Sequence, residues 1–164
     1  MKTNLRYLPK GLTQKDKKIQ SKMLIKSKRL YKKGNYYTRK AVSSFTSKKS
    51  PHILKAMKIY KVDKIGDTDE LAKATGCSKA SLAKIINKGA GAYYSSGSRP
   101  NQTAQSWGLA RLASSITSGK AAAVDYSILE KGCKPNSKAL TMAKKAKRKH
   151  GHGTRKVPHV NLQN

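Results

Sequence analysis

Thr68-Asp-Glu-Leu-Ala-Lys-Ala-Thr-Gly-Cys-Ser-Lys-Ala-Ser-Leu-Ala-Lys-Ile-Ile-Asn87 is the stretch from which the fold class is read. Thr68 offers a hydroxyl cap, and Asp69 and Glu70 follow in the first turn, where the helix dipole favours negative charge. Thr75-Gly76-Cys77 breaks the helix, and Ser78 caps a second one carrying Leu82, Ile85 and Ile86. That second helix is expected to stop at Gly89 or Gly91. The pair fits the helix-turn-helix template, with Ala72 as the small residue at the crossing and Gly76 in the turn. Two readings stay open. A DNA reader would turn Ser78, Lys79, Ser81, Lys84, Asn87 and Lys88 toward a groove or its phosphates. An ordinary helical hairpin would use the same apolar residues only to pack a core.

Further helices lie on both sides. Thr103 caps one with Leu109, Leu112, Ala113 and Ile116 on a single stripe, expected to close at Gly119. A last short helix is expected from about Ala121 to Lys131, burying Val124 and Ile128. Upstream, Ser50 and Pro51 open a helix whose Ile53, Ala56, Met57 and Tyr60 share a face. Thr13 and Asp16 approach a capping box and open a Lys-covered helix with a thin stripe of Ile19, Met23 and Leu30, stopped by Gly34. Residues 35–50 read as an extended arm, and Thr141 to Lys149 holds too little apolar surface to predict order. Strand signals are weak. The reading is a mostly α protein: a compact helical domain over 62–132, a basic arm over 1–61 with one or two amphipathic helices, and a basic tail over 133–164.

Charge narrows the function classes. The chain carries 37 Lys and Arg against 7 Asp and Glu, a formal net charge of +30. So much like charge on 164 residues repels itself and calls for a polyanionic partner, nucleic acid or an acidic protein face. The basic runs supply Lys26, Lys28, Arg29, Lys32, Lys33, Arg39, Lys40, Lys144, Lys145, Lys147 and Arg148, interleaved upstream with Tyr31, Tyr36, Tyr37 and Phe45. Lysines on phosphates and aromatics on bases would suit nucleic acid. Between Ala92 and Thr103, Ser96, Ser98 and Arg99 precede a helix start and could converge on an anion. The plainer reading of that loop is a buried polar segment with Tyr93 and Tyr94 as plugs.

Other classes find less support. No Gly-x-Ser-x-Gly elbow, Walker pattern or carboxylate pair is present, so neither catalysis nor a small-molecule substrate is expected. His150, His152 and Cys133 are expected to form a flexible basic tail, with no metal or cofactor. Cys77 and Cys133 read as reduced thiols of a cytosolic or nuclear protein. No apolar run reaches the roughly 20 residues that span a bilayer.

The segment Gly89-Ala-Gly-Ala-Tyr-Tyr-Ser-Ser-Gly-Ser-Arg-Pro-Asn-Gln-Thr103, with Ser106-Trp-Gly-Leu-Ala-Arg-Leu-Ala-Ser114, Ile116-Thr-Ser-Gly-Lys-Ala121 and Val124-Asp125, resembles a domain family of giant and other large double-stranded DNA viruses, including chlorella and mimivirus-like groups. Lys26-Ser-Lys-Arg-Leu-Tyr-Lys-Lys-Gly34 and Lys58-Ile-Tyr-Lys-Val-Asp63 look like its upstream part, so the resemblance covers roughly residues 20–133. Ser118 stands where related sequences usually have Gly. The resemblance carries no catalytic residues. It implies a virion protein, a minor capsid or core component present in host cytoplasm or nucleus during assembly. Its basic arms would lie on acidic viral structural proteins or on viral DNA; the alternative is a DNA-binding or condensing protein that reads DNA with residues 68–87.

Overall fold

A computed structural model describes residues 2–152 and 158–162, and among them the chain is mostly helical. Strand β1 (Thr3–Asn4) and a 3-10 turn (Leu5–Tyr7) lead into α1 (Gln14–Tyr31), α2 (Pro51–Tyr60), α3 (Asp69–Thr75) and α4 (Lys79–Ser95). Helices α5 (Ala104–Ser115), α6 (Lys120–Val124), α7 (Tyr126–Gly132) and α8 (Lys138–His150) follow, then β2 (His159–Val160). The described residues divide into two compact units, one of 49–89 with 108–152, the other of 2–48 with 90–107 and 158–162.

The first of these holds the larger core. Leu71, Leu82, Ile85, Leu112, Ala113, Ile116 and Leu129 are fully buried in one cluster. Ser50 caps α2 through the His52 N–H, and Ala56 and Tyr60 face inward with Ile53 and Met57 packed beside them. Tyr60 donates its hydroxyl proton to the Ile116 carbonyl at 2.5 Å, and burial holds its ionisation well above the ordinary phenol range. Helix α4 does not stop at Gly89 or Gly91 but runs to Ser95. The glycines serve packing instead. A β-carbon on Gly89 would lie 2.6 Å from the Gly108 Cα, and one on Gly108 would lie 2.5 Å from the Ile86 carbonyl oxygen. Helices α4 and α5 therefore cross here backbone to backbone.

Three further expectations change in this unit. The single helix expected over 121–131 is two, α6 and α7, parted at Asp125, and Val124 is 40% exposed while Ile128 is buried. Within the stretch read as a basic tail, Lys138–His150 forms a regular helix, α8. Cys77 and Cys133 are not free thiols but a disulfide across 56 residues of sequence. They meet because the Gly76–Ser78 turn runs antiparallel to 132–134: Ser78 N–H donates to Gly132 O at 2.8 Å, and Lys134 N–H to Gly76 O at 2.9 Å.

The other unit is organised around α1. Thr13 caps it by accepting from the Asp16 N–H at 3.2 Å. Its buried side carries Asp16, Gln20, Ser21, Met23, Leu24 and Ser27, whereas Ile19 is 39% exposed. The inward stripe is thus half polar or more, which is why an apolar count misplaces it. Residues 35–48 are extended but pinned. Asp16 accepts from Ser44 N–H at 2.8 Å and from Ser44 Oγ at 2.5 Å. Asn101 accepts from Val42 N–H at 2.8 Å and donates to Phe45 O at 2.6 Å. Val42 packs with Leu12 and Met23 in a small core edged by Tyr37 and Phe45. Strands β1 and β2 pair antiparallel, Thr3 opposite Val160. The cuts read at 61/62 and 132/133 differ from this grouping, because α2 and α8 carry buried faces that join the larger core.

Candidate polyanion-binding surfaces

Helix α8 has two unlike faces. Ser137 caps it through the Leu140 N–H at 3.3 Å. Ala139, Leu140, Ala143 and Ala146 recur at helical spacing and are all buried, packed toward α6 and α7. Small side chains suffice because the helix lies close to its neighbours. The opposite face presents Lys144, Lys145, Lys147, Arg148 and Lys149, all exposed, in a stretch that contains no acid. Lys147, Arg148 and Lys149 lie with His150 in the last turn, where positive charge complements the helix dipole. Lys144, Lys147 and Arg148 gather with Tyr126 of α7 around a shallow open pocket. The Lys147 ammonium stands 4.2 Å from the Tyr126 ring centre, a cation–π contact that orders one cation of the set. Tyr126 was not among the residues marked by sequence.

Two of the acids are held internally. Asp125 is completely buried and accepts from Arg111 Nε at 2.9 Å, Arg111 NH2 at 2.8 Å, Lys88 Nζ at 2.9 Å and Ser115 Oγ at 3.0 Å. Burial alone would raise its ionisation, but the Arg111 and Lys88 cations together outweigh burial and hold the carboxyl below the ordinary carboxylate value. Asp16 is held low as well, first by its hydrogen bonds from Ser44. Of the seven acids, five therefore reach solvent, and four of those lie between Asp63 and Glu70.

The α3–α4 hairpin is less available than its sequence suggests. Lys84 and Asn87 are both exposed. Lys79 pairs with Asp69 at 3.2 Å, and Lys88 is tied to Asp125. Ser78 spends its Oγ on the Ser81 N–H as the α4 cap. The turn itself is covered: a side chain on Gly132 would strike the Ser81 hydroxyl, and one on Gly76 would strike Ser137.

Arg39 and Ser98, read from sequence as anion contacts, are buried and satisfied by one another. Arg39 NH2 donates to Ser98 Oγ at 2.8 Å, while NH1 donates to Ser27 Oγ at 3.0 Å and Tyr93 O at 2.9 Å. Its guanidinium lies 3.7 Å from the Tyr93 ring centre, and Gln20 Nε2 donates to Ser98 O at 3.2 Å. Burial shifts the Arg39 guanidinium toward lower ionisation. This is a structural polar core: the plainer reading of the 92–103 loop holds for Tyr93, Ser98 and Asn101, while Ser96 and Arg99 remain exposed. In the same unit Lys26, Arg29, Lys32, Lys33 and Lys40 are exposed, and Lys28 is half-buried. Lys26 caps the Tyr37 ring at 4.6 Å.

A model described as Family of unknown function (DUF5824) matches residues 4–141, most of the chain. The protein belongs to that family. The DUF5824 match takes in α1 to α7, the disulfide, the Asp125 cluster and the tyrosines of residues 31–94, and ends before Lys144. No curated protein and no solved structure matches the chain. Among the described residues no cluster of His, Cys, Asp and Glu could hold a metal ion, and Cys133 is held in the disulfide. No helix among them is long and apolar enough to cross a membrane.

Proposed function

We propose that the protein is a non-enzymatic structural component of a large DNA virus particle that binds polyanions, packaged DNA or acidic partner subunits, through its basic faces. The observation that carries the reading is α8: its Ala/Leu face is spent on the core, and among the described residues its five exposed cations have no acidic partner, only the Tyr126 ring against Lys147. Cations at that density attract a polyanion by releasing its condensed counterions. The virion setting rests on the resemblance of the 89–125 segment. Sequence reading by the α3–α4 hairpin is disfavoured by the covered turn and by the internal partners of Lys79 and Lys88.

The test is a salt titration of binding to duplex DNA, followed by anisotropy. Wild type should show a steep slope of log K against log salt, and K144Q/K147Q/R148Q should lower it by about two to three, one phosphate contact per lost cation. An unchanged slope removes α8 as the contact. In a parallel experiment the protein should stay with particles emptied of DNA if acidic subunits are its anchor, and leave with the DNA if they are not.

A further inference from the structure

We infer that Tyr31, Tyr36 and Tyr94 form a stacking platform for the unpaired bases of single-stranded nucleic acid. The inference rests on the polyanion-binding reading and adds to it a ligand class and a separate site. The platform is built by a turn. Helix α1 ends at Tyr31, and Gly34 takes φ +78, a left-handed conformation that most side chains resist. Gly34 N–H donates to Tyr31 O at 3.0 Å and Asn35 N–H to Leu30 O at 2.9 Å, so the chain folds back and sets Tyr36 beside Tyr31.

The three rings then make one aromatic surface. Tyr31 and Tyr94 lie nearly parallel, 5° apart in plane with centres separated by 6.4 Å. Tyr36 stands edge-on to both, 6.1 Å from Tyr31 and 5.0 Å from Tyr94. Tyr36 is 73% exposed, the most exposed large apolar side chain among the described residues, and Tyr31 is 37% exposed. Neither ring is consumed by a core. Tyr93 and Tyr37 behave differently: each has a cation seated on its ring, Arg39 and Lys26.

The surroundings choose the ligand. Arg29, Lys32 and Lys33 are exposed close to the platform in sequence, and the stretch from Lys17 to Val62 holds no acid. A bare polyanion needs only such cations. An acidic protein face likewise gains little from open rings. Flat exposed aromatics within a cationic field add one thing, a surface on which a planar base can stack while lysines hold the adjoining phosphates. In a duplex those base faces are covered by their neighbours, so the unpaired strand is the one that fits.

The experiment compares three probes of equal length at one salt concentration: a single-stranded oligonucleotide carrying 2-aminopurine, its abasic counterpart, and a duplex. Wild type should bind the natural strand more tightly than the abasic one and quench the 2-aminopurine. Y36A should weaken natural-strand binding about 5- to 20-fold, abolish the quenching and leave the abasic strand and duplex unchanged, while Y36F retains the wild-type behaviour. Tyr36 is largely exposed, so Y36A should keep the wild-type circular dichroism and melting temperature. Equal wild-type affinity for natural and abasic strands, or a Y36A protein that binds and quenches like wild type, overturns the platform while leaving the polyanion reading intact. Failure of wild type to bind any of the three overturns the platform together with the DNA arm of the polyanion reading, and leaves acidic subunits as the partner still tested by the emptied particles.

Discussion

At the scale of single residues the most consequential group is Asp125. It is the one carboxylate with no contact to solvent, and two cations and a hydroxyl converge on it from α4 and α5. Asp125→Asn leaves Lys88 and Arg111, 44% and 21% exposed, without their counter-charge, so it should cost about 1–3 kcal/mol in denaturant unfolding. The pH dependence follows from the direction of its shift. Asp125 ionises more readily folded than unfolded, so its contribution is fully present above the unfolded carboxyl value of about 4 and disappears as pH falls through the lower folded value. Wild type should therefore lose stability below about pH 4. The Asp125→Asn variant should show a shallower acid limb. A parallel limb in both proteins would mean that Asp16, the other carboxyl held low, carries the effect.

At the scale of elements, the α4–α5 crossing separates two effects of glycine that oppose each other. Alanine is better than glycine inside a helix by about 1 kcal/mol. At Gly91 an added β-carbon would meet nothing within 4 Å, so Gly91→Ala should stabilise by about that amount. At Gly108 the same carbon would press on the Ile86 backbone, and overpacking against main chain costs about 1–3 kcal/mol. Gly108→Ala should be net destabilising, and a Gly108→Ala protein as stable as Gly91→Ala would show that the two backbones can part without cost. The glycines of α4 also mark the limit of sequence reading. Helix starts were legible because caps are local: Thr13, Ser50 and Thr68 each accept the hydrogen bond their position implies. Helix ends at Gly89 and Gly91 were not, because whether a glycine stops a helix or admits a neighbour depends on residues far away in sequence. Helix α8 was missed for a related reason, since three of its four buried positions are alanines, which register as weak apolar signal until a close partner is known. The candidate surface was half legible. The exposed lysines of α8 and of the α1 end follow from composition, but Arg39 and Ser98 turned inward because they satisfy each other, and Tyr126 and Tyr94 acquire meaning only beside residues distant in the chain.

At the scale of the whole molecule, two terms act on the unfolded and folded chain in opposite ways. The disulfide closes a loop of 56 residues, and the entropy it removes from the unfolded ensemble corresponds to about 4 kcal/mol. Net charge works against the compact state: +30 on 164 residues, with two of the seven acids spent internally, leaves mostly like charge on the surface. In dilute buffer the Debye length is roughly 30 Å, so these charges repel across the molecule, while near 0.15 M salt it falls to roughly 8 Å and the repulsion is largely screened. The exposed Lys79–Asp69 pair is worth at most about 1 kcal/mol, so its loss to screening is the smaller effect. Repulsion should win, and the melting temperature of the isolated protein should rise as sodium chloride goes from about 10 mM to about 150 mM. A polyanion bound to the folded state adds its own stabilisation by mass action, so a sulfated polysaccharide at low salt should raise the melting temperature further than sodium chloride of equal ionic strength. Reduction of the disulfide should lower both curves without changing their slope, because it alters the unfolded chain and not the surface charge. A melting temperature that falls with added salt would show that attractive pairs dominate this surface, and the demand for a polyanionic partner would lose its physical basis.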